Sequence, residues 1–181
     1  MDLARKMSVD ILSAFDTYND RLPIIIDKYL KINDVSLSQK KRCKATVNEI
    51  IRNRGILDYI IEESSSRKMR NIQPKLKSIL RLGCYDLLFD EIIPEFAAIH
   101  SSVELGKNLV NKKSGSMVNA VLRNMQRKQD SDPFWLKSIK ANNVELSFPN
   151  WLVKKWRKQF GETKTKKLCK SYLKKSPMFL R

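Results

Sequence analysis

The chain has 181 residues, 42% apolar and 30% charged, which suits one folded domain with a modest extension and excludes collagen-like and low-complexity classes. Its 36 Lys and Arg face 19 Asp and Glu, a net charge of +17, so a polyanion is the default partner, nucleic acid ahead of an acidic membrane surface. No apolar run nears the ~20 residues of a bilayer span, no signal-peptide core follows Met1, and Cys43, Cys84 and Cys169 form no CxxC, which argues for a reducing cytoplasm and against a membrane span, a disulfide framework or a metal site.

The elements read as helices in chain order. Leu3, Met7, Ile11 and Phe15 recur every four residues, with Leu12 widening the stripe. Asp20 is placed to cap a second helix carrying Leu22, Ile25, Ile26, Tyr29 and Leu30, and Ser36 or Ser38 to begin a third with Cys43, Val47, Ile50 and Ile51 on one face. Gly55 reads as the break before a short fourth helix with Ile56, Leu57, Ile60 and Ile61, and Ser64-Ser65-Ser66 as loop. Pro74 opens a helix that is apolar on most sides and therefore central. Pro94 opens the next, which a loop at Asn111-Lys112-Lys113 ends, and a further helix spans about Ser114 to Gln129. Asp132-Pro133 starts a short helix with Phe134, Trp135 and Leu136; Pro149 starts another with Trp151, Val153 and Trp156; a last one holds Leu168, Cys169, Tyr172 and Leu173. Pro177 to Arg181 reads as an apolar strand, and its abrupt stop leads us to expect a chain cut at a domain boundary. No alternation at hairpin spacing supports a sheet, so the fold class is all-α.

Lysine outnumbers arginine 24 to 12, a bias that AT-rich coding would also give, so the position of the charge says more than its total. Residues 137–181 hold 13 basic side chains and two acidic ones, Glu145 and Glu162. This shift places a boundary near residue 129: a helical domain over 1–129 and a basic helical linker over 130–181.

Chemistry is sparse. The five glycines are isolated and build no phosphate or dinucleotide loop. His100 is the sole histidine and reads as a helix-surface residue with Glu104 one turn away, and Cys84 as a small core residue. Asn119, inside an apolar helix, reads as a buried hydrogen-bonder. No catalytic residue and no cofactor site are expected in these 181 residues.

Two segments carry a resemblance. Residues 94–106 read Pro-Glu-Phe-Ala-Ala-Ile-His-Ser-Ser-Val-Glu-Leu-Gly, and 115–123 read Gly-Ser-Met-Val-Asn-Ala-Val-Leu-Arg. Together they resemble the signature segments of the NusB family of helical RNA-binding domains. Pro74 to Leu88 looks like that family's central helix, and Val47 to Arg52 falls where its third helix belongs. The resemblance implies a NusB-like bundle over residues 3–128. That domain stands alone as an antitermination factor, which binds rRNA leader RNA with a protein partner, or leads RsmB-type (Sun or Fmu) rRNA cytosine-C5 methyltransferases. The continuation Ser147-Phe148-Pro149-Asn150-Trp151-Leu152, reaching Pro177-Met178-Phe179-Leu180-Arg181, is similar to the linker of the methyltransferases. The expectation is therefore a non-catalytic N-terminal region that recruits or orients ribosomal RNA, with S-adenosylmethionine and two catalytic cysteines implied for a domain outside this sequence.

The resemblance also implies an RNA contact from the first helix, where Arg5 and Lys6 lie. Arg123, in the second signature segment, and Arg127 and Lys128 beside it are candidates for phosphate contact or for pairing with a neighbouring helix end. Read from the residues alone, the linker is the stronger electrostatic candidate. Lys154, Lys155, Arg157 and Lys158 cluster beside Trp151 and Trp156, followed by Lys164, Lys166, Lys167, Lys170, Lys174 and Lys175. Lysines interleaved with aromatics suit phosphate contact and base stacking. The same pattern suits tryptophans packed on the first domain beneath a solvated lysine face.

Overall fold

A computed structural model describes residues 2–18, 20–32 and 35–174. The strand expected at Pro177 to Arg181 lies outside these residues. Among them there is no strand, and the all-α reading holds.

Helix α1 (Leu3–Thr17) begins where the Asp2 carboxylate accepts the Ala4 N–H at 2.9 Å. In α2 (Leu22–Ile32) the first intrahelical bonds run to the carbonyl of Arg21, one residue past the expected cap at Asp20. Helix α3 (Leu37–Arg52) carries a capping box: Ser36 Oγ accepts from Gln39 N, and Gln39 Oε1 accepts from Ser36 N. That settles the start at Ser36.

Helix α4 (Arg54–Ser65) follows after Asn53 alone. Gly55 therefore does not separate the two helices but sits in the first turn of α4. Its role is space: a Cβ there would lie 1.9 Å from the carbonyl oxygen of Leu146, a residue far along the chain. The serine run continues α4 to Ser65, and Ser66 ends it in the left-handed region at φ 53°.

Helix α5 (Pro74–Leu88) is the centre, with α1, α4, α6 and α7 packed around it. Ile79, Leu80, Leu82 and Cys84 have essentially no exposure. Helix α6 (Glu95–Leu109) starts from Pro94, and α7 (Lys112–Ser131) starts almost at once because the Asn111 side chain accepts the Ser114 N–H at 2.8 Å. The loop expected at 111–113 is thus a cap and a first turn. The two helices approach backbone to backbone, since a Cβ on Gly106 would stand 3.0 Å from the Gly115 Cα.

The expected boundary near residue 129 falls inside α7. Beyond it lie α8 (Trp135–Asn142), a one-turn 3-10 helix (Val144–Ser147) and α9 (Asn150–Leu173). We call these the arm. It docks on the bundle through buried Ile139 and Val144 and through the Gly55–Leu146 contact. Within α9, Gly161 takes φ 76° and ψ 170°, so the helix is broken there into the two helices expected from sequence. Trp156 and Tyr172 stack with ring centroids 5.9 Å apart. In an unbroken helix sixteen residues would separate them by about 24 Å. The arm is therefore folded back on itself.

Two charged groups lie in the core. Arg81 on α5 donates to Asp58 of α4 at 2.7 and 2.9 Å and to Asp16 of α1 at 2.5 Å. Arg54 reaches the same Asp16 at 3.0 Å. Burial works against the Arg81 guanidinium, yet the Asp58 and Asp16 carboxylates together hold its pKa above the ordinary arginine value. At the other end of α1, Arg5 pairs with Asp86 of α5 and donates to Ser102 Oγ of α6 at 3.1 Å.

Replacing Gly55 with Ala is expected to push the Leu146 turn off α4 at a cost of about 1–3 kcal/mol. Urea unfolding measures the loss, and limited proteolysis should show faster cleavage within residues 132–149. Wild-type stability and cleavage in Gly55→Ala would show that the arm does not depend on this contact.

Candidate nucleic-acid interface

The predicted RNA contacts divide by what surrounds them. Arg5 does not face solvent; it is 8% exposed. It lies four and seven residues before Val9 and Leu12, both fully buried, so it falls on the inner face of α1, where Nη1 meets Asp86 and Nη2 donates to Ser102. Its role in this structure is an internal ion pair, which corrects the expectation of a surface RNA contact. Lys6 is half-exposed and leans on Asp10 at 3.4 Å, a carboxylate already held by Lys75 at 2.6 Å. Helix α1 thus offers little unneutralised positive charge.

On α7, Arg123 and Arg127 are exposed. Arg123 donates to Gln126 Oε1 at 2.9 Å, and Gln126 donates in turn to Glu95, tying α7 to the start of α6. Lys128 bonds the Glu63 carboxylate at 2.6 Å and sits 5.6 Å from the centroid of the Trp135 ring. Arg127 has no acidic partner among the described residues. Asn119 is exposed rather than buried, because it lies on the outer side of α7, away from Val118 and Leu122.

In the arm, Lys154, Lys155 and Lys158 are exposed and, among the described residues, unpaired. Arg157 differs: both its Nε and Nη2 reach the Glu145 carboxylate, pinning α9 to the preceding turn. Further along, Lys164, Lys167, Lys170 and Lys174 are exposed, while Lys166 pairs with Glu162 at 3.1 Å. The two tryptophans part company. Trp151 is 67% exposed, whereas Trp156 stacks on Tyr172 and meets Phe148 edge-on at 5.7 Å. Trp156 packs within the arm and not on the bundle; Trp151 remains a free aromatic face beside the lysines.

The cysteines do no surface chemistry, since all three are buried and burial pushes each thiol up. His100 is exposed, and Glu104 turns to Lys107 at 2.7 Å instead. No cluster of three or more metal-ligating side chains occurs among the described residues, and no described helix is long and apolar enough to cross a membrane. The glycines do not fit an S-adenosylmethionine cradle: Gly55, Gly83, Gly106 and Gly115 face packed neighbours within helices, and Gly161 breaks one.

The charged residues hidden from sequence reading are Arg81, Asp16, Asp58 and Asp86. For Arg81 and Asp86 the signal was present: both lie in the later turns of a helix that is apolar on most sides, where a charge is buried with its neighbours. Asp86 shows the consequence. Burial pushes its carboxyl up to about 6, with Arg5 pulling the other way.

An all-α bundle about a buried central helix, extended by a basic arm, is the class of protein these features define. Residues 2–127 match the NusB family, and the chain belongs to it. Among its relatives is the probable ribosomal RNA small subunit methyltransferase B of Synechocystis, 28% identical over 96% of this chain and 39% of that protein. The Bacillus subtilis protein of the same name is 30% identical over 83% of this chain and 34% of its own length. The ribosomal RNA small subunit methyltransferase B of Escherichia coli O1:K1 is 28% identical over 73% of this chain and 30% of its own. The chain therefore spans well under half the length of these curated relatives. A chain in the crystal structure of a plectonemic RNA supercoil shares the fold, with a TM-score of 0.67 and 20% identity, covering 71% of this chain and 95% of that one.

Because the folded-state pKa of Asp86 lies above its unfolded value, the native state binds the proton more tightly. Its protonation stabilises the fold as pH falls through about 6, and that contribution is absent at higher pH. The stability of the wild type relative to Asp86→Asn should rise by on the order of 2–3 kcal/mol between about pH 7 and pH 4, read by urea unfolding. A pH-independent difference would show that Arg5 keeps the carboxylate ionised throughout.

Proposed function

We propose that this chain is the non-catalytic N-terminal region of a cytoplasmic small-subunit rRNA cytosine-C5 methyltransferase that depends on S-adenosylmethionine, and that it recruits or orients ribosomal RNA for the catalytic part. The observation that carries this reading is the set of unpaired lysines on the outer face of α9, Lys154, Lys155 and Lys158, beside the exposed Trp151. Neighbouring cations are already committed: Arg157 to Glu145, Lys128 to Glu63, and Arg5 to Asp86. Free lysines attract phosphate and release its counterions, while an exposed indole offers a surface to an unpaired base.

The division of labour follows from the fold. Ile139, Val144 and Leu146 set the arm against the bundle, so the lysine face keeps a fixed direction relative to α1–α7. Positioning of this kind supplies orientation without any reacting group, and the reaction would belong to the part that holds the cofactor. The alternative, a stand-alone antitermination factor with a protein partner, draws less support. The Synechocystis methyltransferase aligns with 96% of the chain, so the similarity extends into the arm.

RNA affinity should fall steeply with salt, and Lys154→Ala/Lys155→Ala/Lys158→Ala should flatten the slope of log K against log salt by about 2 units, at roughly 0.7–0.9 per lost phosphate contact. Fluorescence anisotropy with small-subunit rRNA fragments measures this, while the purified chain should transfer no labelled methyl group to the same RNA. An unchanged slope would overturn the arm as the RNA contact, and methyl transfer would overturn the non-catalytic assignment.

A further inference from the structure

Where the arm meets the bundle, two open cavities adjoin. One, of about 590 Å³, lies between Ile56, Tyr85 and Phe89 of the bundle side and Lys137, Lys140, Lys170 and Lys174 of the arm. The other, of about 1010 Å³, runs along α3 past Arg42 and Arg52 to the turn after α5. Both are walled by Glu49, Tyr85 and Phe89, so they form one groove with an aromatic step in the middle. Its size falls in the ~300–1,000 Å³ range of ligand clefts, or somewhat above it when the two are joined.

The chemistry of the walls is specific. Tyr85 in the last turn of α5 and Phe89, which caps that helix, stack at 6.0 Å. The Lys140 ammonium stands 3.8 Å from the Phe89 centroid. Lys140 is half-buried and, among the described residues, makes no contact ion pair; the face of the Phe89 ring and the charge of Glu91 are what balance it. Burial pulls its pKa below the ordinary lysine value. Burial also pushes the Tyr85 phenol up to about 12, so it stays protonated as a hydrogen-bond donor, and its hydroxyl has no partner among the described residues. Of the acidic lining residues, Glu49 is engaged by Arg52, while Asp90 and Glu91 follow Phe89 on the α3 side of the step, near enough for the charge of Asp90 to act on Tyr85 and that of Glu91 on Lys140.

We propose that this groove is a binding site for unpaired RNA nucleotides, in which a base stacks at Phe89 and the adjoining phosphates are held by Lys140, Lys170 and Lys174. An arriving phosphate draws the Lys140 ammonium off the ring, and the vacated face takes the base. Duplex RNA presents phosphates but no free base face, so the aromatic step discriminates in favour of single strands. An acidic peptide would satisfy the lysines but leave Phe89 and the Tyr85 hydroxyl unused. The inference rests on the reading that the chain binds RNA, and it adds a second contact, on the side of the arm that faces the bundle, that selects unpaired segments.

The test uses the full chain and two labelled probes, an unstructured oligoribonucleotide carrying 2-aminopurine and a blunt RNA duplex. Lys140→Met/Phe89→Leu keeps the apolar contacts of both side chains. It is expected to bind the single strand about ten-fold more weakly, to lose the 2-aminopurine quenching, and to bind the duplex within about two-fold of wild type. If Phe89→Leu disturbs folding, Lys140→Met/Lys170→Met carries the same expectation for affinity with both aromatics intact. Equal weakening for both probes, no weakening for either, or displacement of the oligonucleotide by polyglutamate at equal charge would overturn the proposal. The two readings fail separately. Loss of binding in the Lys154/Lys155/Lys158 variant with none in the groove variants removes this site alone, whereas a wild-type chain without salt-dependent RNA affinity removes the RNA function itself.

Discussion

The fold turns on the demand that α5 makes of its neighbours. A helix wrapped on all sides still carries Arg81 and Asp86, and a buried charge left without a partner costs several kcal/mol. Asp16 and Asp58 answer the first, and Arg5, itself held by Ser102, the second. Since Asp16 and Arg5 are both on α1, that helix is tied to α5 near each of its ends. Sliding α1 by one turn would leave an arginine and two carboxylates stranded in the core, so the polar contacts fix a register that apolar packing alone leaves looser. Asp58 and Ser102 extend the same restraint to α4 and α6. These pairs contribute less to net stability than to uniqueness, because taking each charge out of water offsets most of what its partner returns.

The arm solves a different problem, that of presenting positive charge without dispersing it. Where a lysine or arginine lies within reach of a carboxylate, the pair serves as a fastening, as with Arg157 to Glu145 and Lys128 to Glu63. Where acids are missing, at Lys154, Lys155 and Lys158, the charge is left to the solvent. Two acidic residues among the thirteen basic ones of residues 137–181 are too few to neutralise the segment, and both are used to hold its shape.

Much of this was legible beforehand. Helical periodicity marked every long helix, and proline marked the starts of α5, α6 and α9, because missing N–H groups and fixed φ angles act locally. The family segments at 94–106 and 115–123 turned out to be the closely packed pair α6 and α7, with Gly106 and Gly115 letting the backbones touch. What escaped was set by distant partners. Gly55 looks like punctuation until Leu146 arrives ninety-one residues later, and Arg5 looks like a surface base until Asp86 is placed opposite it. Asn119 was misjudged for a related reason: one step along a helix turns a side chain by about 100°, so the neighbour of buried Val118 can point outward. The groove beside Phe89 was beyond sequence altogether, since its walls come from five separate α-helices, α3, α4, α5, α8 and α9.

Gly161 changes what kind of object the arm is. A straight helix of its length would act as a rigid rod of about 36 Å, passing any tilt at one end to the other undiminished. With the rod snapped, the two halves keep company through the ring faces of Trp156 and Tyr172, with Phe148 wedged against both. Movement of the bundle therefore reaches residue 173 through side-chain contacts that can slip. The arm works as a folding rule held half-shut by friction at its joint, and the stiffness of that joint, more than the length of either half, governs how faithfully one end follows the other.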